Sequence, residues 1–328
     1  MKKIYYITAV FATLFLVGCG DGIDLPGVNV ETDLNKIPLP DNNVNLEQVE
    51  LKPSTEPMLH EGLHTEEDFQ RIRDKKAAGE EPWISAYQLL VESQFSQKTA
   101  DTYPTEWIKR GVSGDENYMN AARGATIAYQ QALRWKIEQD DEYAAKAVEN
   151  LNKWVQTCVG VTGNTNLSLA AGLYGYEFAI AGELLRDYGG WDRADFAAFQ
   201  NWLLKVFYPA NDDFLKRHHD TNALHYWANW CLCNIAAKMA IGIVTDRRDI
   251  YNEGIAHLQT GDTNGRLRRA IYHDYAPDYN FAQWQESGRD QGHTLMCVGL
   301  MGIICQLAWS QGDDFFAYDD NLFLRACE

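Results

Sequence analysis

The chain has 328 residues, and its 29 lysines and arginines against 46 aspartates and glutamates give a formal net charge of −17. It is 46% hydrophobic and 23% charged, which is enough apolar material for a sizeable core and excludes intrinsic disorder for the bulk of the chain. The strong acidity argues against a nucleic-acid partner, because binding phosphates requires a basic surface.

The first eighteen residues predict an export signal. Lys2 and Lys3 precede an apolar run over 4–17 that is too short to span a bilayer as a stable anchor. The sequence Leu16-Val17-Gly18-Cys19 resembles a bacterial lipobox, in which the cysteine is lipidated and becomes the first mature residue. We expect a signal peptide over 1–18 and an exported lipoprotein that is tethered to a membrane, in the periplasm or at the outer membrane and cell surface. An ordinary signal peptide with an incidental cysteine is the alternative.

Residues 19–60 are rich in Asp, Asn, Pro and Gly and show little helical periodicity, which predicts a flexible linker behind the lipid anchor. Order is expected to begin near Thr65, where Thr65-Glu66-Glu67-Asp68 is typical of a capping box. We predict one domain over residues 61–328.

That domain has the pattern of helix after helix. Apolar residues recur near helical spacing in six segments, namely 82–94, 116–137, 142–157, 168–188, 192–207 and 249–258. Segments 224–243 and 291–309 are apolar almost all round, which predicts two deeply buried helices. No alternating run indicates a substantial sheet. The prediction is an all-α fold of helical hairpins, an α/α toroid or incomplete barrel, and the lack of a fixed repeat disfavours a solenoid.

Six cysteines follow Cys19, and their mainly apolar surroundings predict buried side chains without a disulfide framework. They are Cys158, Cys231, Cys233, Cys297, Cys305 and Cys327.

Charge is distributed unevenly along the chain. Residues 201–300 hold ten Lys or Arg and eleven Asp or Glu, and they contain six of the eight histidines. Cationic and titratable groups are therefore concentrated in one third of an acidic protein, which suits a local site for an anion. Random clustering on solvated faces is the alternative reading.

Three segments within this window carry candidate chemistry. The first, over 216–230, begins with turn-forming polar residues that include His218 and His219. On a helix, Asn222, His225 and Asn229 would lie on one polar stripe, and such groups require partners from the protein or from a ligand.

The second segment, over 266–275, places arginines one or two turns before Tyr272, His273 and Tyr275. Arginine binds carboxylates in a bidentate manner, and nearby cations favour the ionised form of a tyrosine. An exposed basic helix end is the alternative.

The third segment, over 284–293, is a dense polar cluster ahead of the apolar helix. Arg289 and Asp290 are expected to pair with Glu286 or His293, in a structural role.

These segments resemble the bacterial alginate lyase superfamily of toroidal fold. Arg268 to Tyr275 is similar to an Arg-Ala-x-x-Tyr-His-Asn-Tyr stretch whose first tyrosine is catalytic in mannuronate-specific lyases. Asn222 to Trp230 is similar to their Asn-Asn-His-x-Tyr-Trp segment, in which Asn and His contact the substrate carboxylate. The third segment is similar to a Bacteroides-type lipoprotein branch. The resemblance covers about residues 60–328, and because such domains usually continue, we expect the last hairpin to extend past Glu328.

Two departures from the family pattern affect the assignment. Ala223 and Leu224 stand where the second Asn and the His would align, so Asn222 and His225 are the nearest substitutes. The spacing from arginine to tyrosine also differs, and Arg266 is preferred over Arg268.

The resemblance implies a polysaccharide lyase that cleaves alginate or a related polyuronate by β-elimination, without a metal or an organic cofactor. Tyr272 would be both acid and base, Asn222 and His225 would neutralise the uronate carboxylate, and Arg266 would keep Tyr272 partly ionised. Further substrate contacts are expected from His218, His219, Asn229, His273, Tyr275, Trp284, Arg289 and His293.

Two other functions remain open at this stage. A glycoside hydrolase on an α/α toroid would need a carboxylate pair, for which Glu286 and Asp290 are candidates. A non-catalytic, glycan-binding surface lipoprotein would explain the aromatic content but not the grouping of arginine, tyrosine and histidine.

Overall fold

Twelve α-helices form most of residues 54–328, the part of the chain that the computed structural model describes. The predicted signal peptide, Cys19 and the linker up to residue 53 lie outside the described residues. The helices are α1 (Glu66–Ala77), α2 (Trp83–Glu92), α3 (Tyr118–Glu138), α4 (Asp141–Thr157), α5 (Leu167–Leu184), α6 (Arg193–Val206), α7 (Tyr208–Arg217), α8 (Ala228–Val244), α9 (Arg248–Thr260), α10 (Leu267–Ala270), α11 (Gln291–Ser310) and α12 (Tyr318–Arg325). The four short strands are β1 (Trp107–Arg110), β2 (Gly160–Gly163), β3 (Ile271–Asp274) and β4 (Ala282–Trp284).

The helix starts follow the local capping chemistry. Thr65 and Asp68 form the predicted capping box, in which the Thr65 side chain accepts from the Asp68 backbone N–H and the Asp68 side chain accepts from the Thr65 N–H. The side chains of Asp140 and Asp192 cap α4 and α6 in the same position. The predicted helical segments are therefore confirmed, with bounds that differ by a few residues.

The long helices α3, α5, α8 and α11 run in the same direction and form the inner layer. Near their N-terminal ends, Tyr118 of α3 stacks on Tyr174 of α5, with ring centroids 6.5 Å apart. Asn229 of α8 meets the sulfur of Met296 of α11 at 3.6 Å. At the opposite end, the Arg186 guanidinium donates to the last carbonyls of α8.

The outer helices complete antiparallel hairpins with this inner layer. Gln131 of α3 accepts a 2.9 Å hydrogen bond from Asn150 of α4, and Arg134 donates to the Tyr143 hydroxyl at 2.6 Å. Helices α5 and α6, and α8 and α9, pack in the same way. The predicted all-α fold of helical hairpins is confirmed.

Both central helices are enclosed as their composition predicts. All but one residue of α8 is buried. Helix α11 is long and apolar enough to cross a bilayer, but half of its most apolar window is buried and it packs against α8 as a core helix. Of the six cysteines after Cys19, five are buried as predicted, whereas Cys327 is exposed near the end of the chain.

Residues 54–64 cross the end of the inner layer at which α5, α8 and α11 finish. The Gln311 side-chain oxygen accepts from the Leu59 N–H at 2.9 Å, and its amide nitrogen donates to the Leu59 carbonyl at 3.0 Å. The Asn252 side chain donates to the Ser54 carbonyl at 2.9 Å. Residues 54–60, which the sequence analysis places in the flexible linker, are therefore part of the folded body.

Candidate active site

The candidate site lies at the end of the inner layer where α5, α8 and α11 begin. Helix α8 starts at Ala228, because its first N–H groups are capped from a distant part of the chain. The Gln285 side chain accepts from the Ala228 N–H at 2.9 Å, and the Glu286 carboxylate accepts from the Asn229 N–H at 2.8 Å. A carboxylate at this position also meets the positive end of the helix dipole.

Asn222 and His225 therefore lie in the turn before α8, and the predicted helical stripe with Asn229 is wrong. The Asn222 side-chain oxygen accepts from the Leu224 N–H at 2.8 Å, and the Asn222 carbonyl accepts from the His225 N–H at 2.9 Å. These bonds form a compact turn that replaces the first helical turn. The side chains of both residues remain exposed, as a role in substrate binding requires.

The turn is fixed from behind by Asn264, whose side-chain amide donates to the carbonyls of Leu224 and Tyr226 at 3.1 and 2.8 Å. Asn229 is buried directly below it, and its side-chain oxygen has no hydrogen-bond partner within residues 54–328. Because the Asn229 amide is almost inaccessible, the structure places it among the supports of the site.

His218 and His219 occupy a left-handed turn that follows α7. The φ angles of His218, His219 and Asp220 are 49°, 53° and 59°, a conformation that L-residues adopt only when the surroundings impose it. The His219 Nε2 atom lies 3.0 Å from the Ser168 hydroxyl at the start of α5. Burial lowers the pKa of His218, which is therefore neutral at physiological pH.

Tyr272 lies on β3, a short strand in a part of the chain for which the sequence analysis names no strand. Helix α10 is a single turn, after which Ile271–Asp274 pairs antiparallel with Ala282–Trp284. Tyr272 is half-buried on this strand.

Burial raises the pKa of Tyr272 above its ordinary value, which keeps the phenol protonated at neutral pH. Burial is the one cause of this shift, and the expectation that Arg266 holds Tyr272 partly ionised stays a prediction. Arg268, the other candidate arginine, lies 3.5 Å from Asp274 and forms an ion pair with Asp319 of α12. Arg268 thus connects α10 and β3 to the last helix, while Arg266 precedes α10 as its N-cap residue.

His273 and Tyr275 lie close to Tyr272 along the chain, in the two-stranded antiparallel ribbon that β3 and β4 form. The His273 and Tyr275 rings meet edge to face with centroids 4.3 Å apart, and the Tyr275 hydroxyl donates to the Gln283 side-chain oxygen at 2.9 Å. Burial also raises the pKa of Tyr275. Tyr275 therefore stabilises the β3–β4 ribbon that carries Tyr272.

The third segment has the structural role that the sequence analysis favours. Glu286 is fully buried, and besides capping α8 it pairs with Arg289 at 2.9 Å. Asp290 caps α11 and lies 2.6 Å from the His293 ring. The expected ion pairs are thus confirmed, and Glu286 is not available as the carboxylate of a hydrolase.

The other substrate contacts predicted in this segment divide into two groups. Trp284 is buried and donates its indole N–H to the Ala326 carbonyl at 2.7 Å, so it offers no open ring face to a sugar and the predicted contact is wrong. Arg289, in contrast, is exposed, and its guanidinium lies 5.2 Å from the centroid of the exposed Trp227 ring. The pair forms a polar and aromatic surface beside the start of α8.

Sequence reasoning missed a further part of the candidate site, the wall that β1, α3 and α5 form. Arg110 of β1 lies 4.7 Å from the centroid of the Tyr118 ring, and Tyr118 in turn stacks on Tyr174. Helix α5 also carries Ser168, which joins this wall to His219. No local sequence motif distinguishes Arg110 from the other exposed or paired arginines, so only the fold could have identified it.

A family model described as alginate lyase matches residues 72–328. Among solved structures, a variant of alginate lyase A1-III in complex with a tetrasaccharide has a TM-score of 0.60 at 14% identity, covering 80% of this chain and 74% of that chain. Alginate lyase A1-III from Sphingomonas species A1 has a TM-score of 0.55 at 13% identity over 80% and 75% of the two chains. An alginate lyase from Bacteroides ovatus has a TM-score of 0.55 at 14% identity over 81% of each chain. These structures confirm the predicted α/α toroid. A search of curated proteins gives no match.

Proposed function

Because the chain belongs to the alginate lyase family and is therefore a polysaccharide lyase, we propose that it cleaves alginate or a related polyuronate by β-elimination at Tyr272. The observation that carries this proposal is the position of the Tyr272 phenol. It lies half-buried on the ribbon that continues directly into the residues capping α8, and α8 is the helix that follows the exposed turn of Asn222 and His225.

β-Elimination needs three functions from the protein. The C5 proton of a uronate is weakly acidic because the adjacent carboxylate is already negative, so donors at that carboxylate stabilise the developing enolate-like charge. A base removes the C5 proton, the electron pair of that C–H bond forms the C4–C5 double bond, and the C4–O4 bond breaks. An acid then delivers a proton to O4 of the leaving sugar.

Asn222 and His225 are proposed to donate hydrogen bonds to the uronate carboxylate. Both side chains are exposed and their backbone is fixed by the turn and by Asn264, so little ordering is required when a sugar binds. Arg266 precedes the same ribbon and is proposed to add positive charge there. His219, His273, Arg289 and His293 are proposed as contacts for neighbouring sugars, whereas His218 is buried against Phe214 and supports the turn.

Tyr272 is proposed to transfer both protons in mannuronate or glucuronate, where H5 and O4 lie on the same side of the ring. The phenolate form removes the C5 proton, and the phenol formed in this way delivers the proton to O4, which returns Tyr272 to the phenolate. Because burial raises the pKa of Tyr272, this reactive form is the minor one at neutral pH. In guluronate H5 and O4 lie on opposite sides, and His225 is then proposed as the separate base.

One assay tests the reaction and selects the substrate. The protein is incubated with polymannuronate, polyguluronate, glucuronan and an unsulfated glycosaminoglycan, and the ultraviolet absorbance of the C4–C5 double bond is followed together with reducing ends. A lyase produces both signals on at least one polymer. Reducing ends without absorbance would indicate hydrolysis, and binding with neither signal would indicate a glycan-binding protein; either result overturns the proposal.

We further propose that the protein is exported and anchored through a lipid on Cys19. The proposal is supported by the residue pattern of Lys2, Lys3 and the Leu16-Val17-Gly18-Cys19 sequence. Wild-type protein should fractionate with membranes and carry an acylated N-terminal cysteine by mass spectrometry, whereas Cys19→Ser should abolish acylation. An unmodified wild-type protein in the soluble fraction would contradict the anchor.

A further inference from the structure

Arg110 is held in a fixed position by its backbone. Strand β1 pairs parallel with β2, and Arg110 lies opposite Gly163. A Cβ atom on Gly163, whose φ is 143°, would lie 1.7 Å from the Arg110 carbonyl oxygen, so only glycine fits there. Next to it, the Gly111 N–H donates to the Glu116 side chain at 2.6 Å. The start of the Arg110 side chain is therefore well defined.

The guanidinium of Arg110 is directed toward the inner helices. It lies over the Tyr118 ring of α3 at 4.7 Å. Burial raises the pKa of Tyr174, and the positive charge of Arg110 acts in the opposite direction. The surroundings of the cation are thus two stacked tyrosine rings.

Arg110 differs from Arg289 and Arg268 because no carboxylate balances its charge. Arg289 pairs with Glu286, and Arg268 pairs with Asp274. Within residues 54–328, no carboxylate lies within ion-pair distance of Arg110, and its buried Nη1 atom has no hydrogen-bond partner. A buried cationic donor without an acceptor is costly, and an anionic ligand removes that cost.

We infer that Arg110 binds the carboxylate of a second uronate unit of the polymer. This inference rests on the proposed polyuronate lyase function. Arg110 lies on the wall of α3 and α5, whereas the reaction is assigned to the β3–β4 ribbon, so Arg110 is a positioning residue for the substrate. It selects chains that carry acidic sugars on both sides of the cleaved bond.

The test compares Arg110→Gln with Lys109→Gln, its matched control. Lys109 is the preceding residue on β1, and its ammonium pairs with Asp115 at 2.6 Å, so this substitution removes one positive charge from the same strand. For the polymer cleaved by the wild type, Arg110→Gln should raise KM at least tenfold and change kcat less than threefold. Lys109→Gln should leave both constants within twofold of wild type.

Two further measurements separate charge recognition from a structural role. Arg110→Lys should recover part of the lost KM because it keeps the charge without the bidentate geometry. In the Tyr272→Phe background, calorimetry should show that Arg110→Gln weakens the binding of acidic oligouronates at least tenfold and leaves the binding of a neutral mannan oligosaccharide unchanged.

The outcomes distinguish this inference from the function on which it rests. If the wild type forms unsaturated product and the KM of Arg110→Gln equals that of Lys109→Gln, the inference about Arg110 is wrong and the proposed lyase function is retained. If Arg110→Gln weakens binding of acidic and neutral oligosaccharides equally, or lowers the melting temperature with a matching loss of kcat, Arg110 is structural and the inference is wrong. If the wild type forms no unsaturated product from any polyuronate, the proposed function itself fails.

Discussion

The Glu286 carboxylate accepts a 2.8 Å hydrogen bond from the backbone N–H of Asn229 and thereby determines where α8 begins. The two residues are 57 positions apart in the sequence. Because Glu286 also pairs with Arg289, which lies over Trp227, one buried carboxylate connects the β3–β4 ribbon, α8 and the start of α11. The arrangement of the candidate site depends on this connection.

We predict that Glu286→Ala destabilises the protein by about 2–4 kcal/mol, because it leaves the Asn229 N–H without its cap and the Arg289 guanidinium without its partner. Chemical denaturation measures the change. Asp192→Ala is the control, since Asp192 caps α6 at an exposed position. It should cost about 1 kcal/mol and leave lyase activity unchanged.

The same residue separates a lyase from a hydrolase. Glu286→Gln keeps one acceptor for the Asn229 N–H, so we expect it to retain activity within about tenfold of wild type. A hydrolase that used Glu286 as its acid would lose several orders of magnitude in rate while remaining folded. That second result would contradict the structural role assigned to Glu286.

The second prediction concerns the phenol that performs the proton transfers. Tyr272→Phe should lower kcat by about 10²–10⁴-fold, because general acid and base catalysis contributes in that range. Tyr275→Phe is the matched control on the same ribbon. It loses the 2.9 Å hydrogen bond to Gln283 and should reduce stability by about 1 kcal/mol while keeping most of the activity.

Steady-state kinetics and thermal melting of both variants check this assignment. Circular dichroism should show the same helix content for Tyr272→Phe and wild type, because its phenol makes no bond on which the described core depends. Equal activity losses in the two variants would mean that the ribbon matters and that Tyr272 has no special part in the reaction.

The sequence predicts most of the helices, but it does not predict the start of α8 or the strand that carries Tyr272. Helical periodicity and apolar runs are properties of short segments, and they located α3 to α6, α8, α9 and α11 within a few residues. The start of α8 depends on Glu286, which lies 57 positions further along the chain, so local spacing cannot predict it. The strand at Tyr272 is only four residues long and forms by pairing with the three residues of β4, so it has no extended alternating pattern by which the sequence could reveal it.

The third prediction is the pH dependence of the reaction on mannuronate-type polymers. Burial raises the pKa of Tyr272, so the phenolate is a small fraction at neutral pH and grows about tenfold for each pH unit below that pKa. We therefore expect log kcat/KM to rise with a slope near 1 from about pH 7 to pH 9. A profile that is already level between pH 7 and pH 9 would instead indicate that the base is not the Tyr272 phenolate.

The fourth prediction concerns Glu177, a carboxyl group on α5 that the proposed chemistry does not use. Burial raises its pKa to about 8, and the Tyr176 hydroxyl lies 3.5 Å from its oxygen. Within residues 54–328, no lysine or arginine pairs with it. The folded protein therefore holds this proton up to about pH 8, whereas the unfolded chain releases it near the ordinary value of 4.5.

Between these two pH values the unfolded state binds fewer protons, so this group lowers the free energy of unfolding as pH rises, by at most about 1.4 kcal/mol per pH unit. Glu177→Gln is neutral at every pH and removes that dependence. Its stability relative to wild type should be unchanged near pH 4.5, should increase up to about pH 8 and should then stay constant. Glu106→Gln, an exposed control, should show a flat difference over the same range. Chemical denaturation of the wild type, Glu177→Gln and Glu106→Gln at several pH values measures these differences in stability. A pH-independent difference between Glu177→Gln and the wild type would mean that Glu177 ionises as easily in the folded protein as in the unfolded chain.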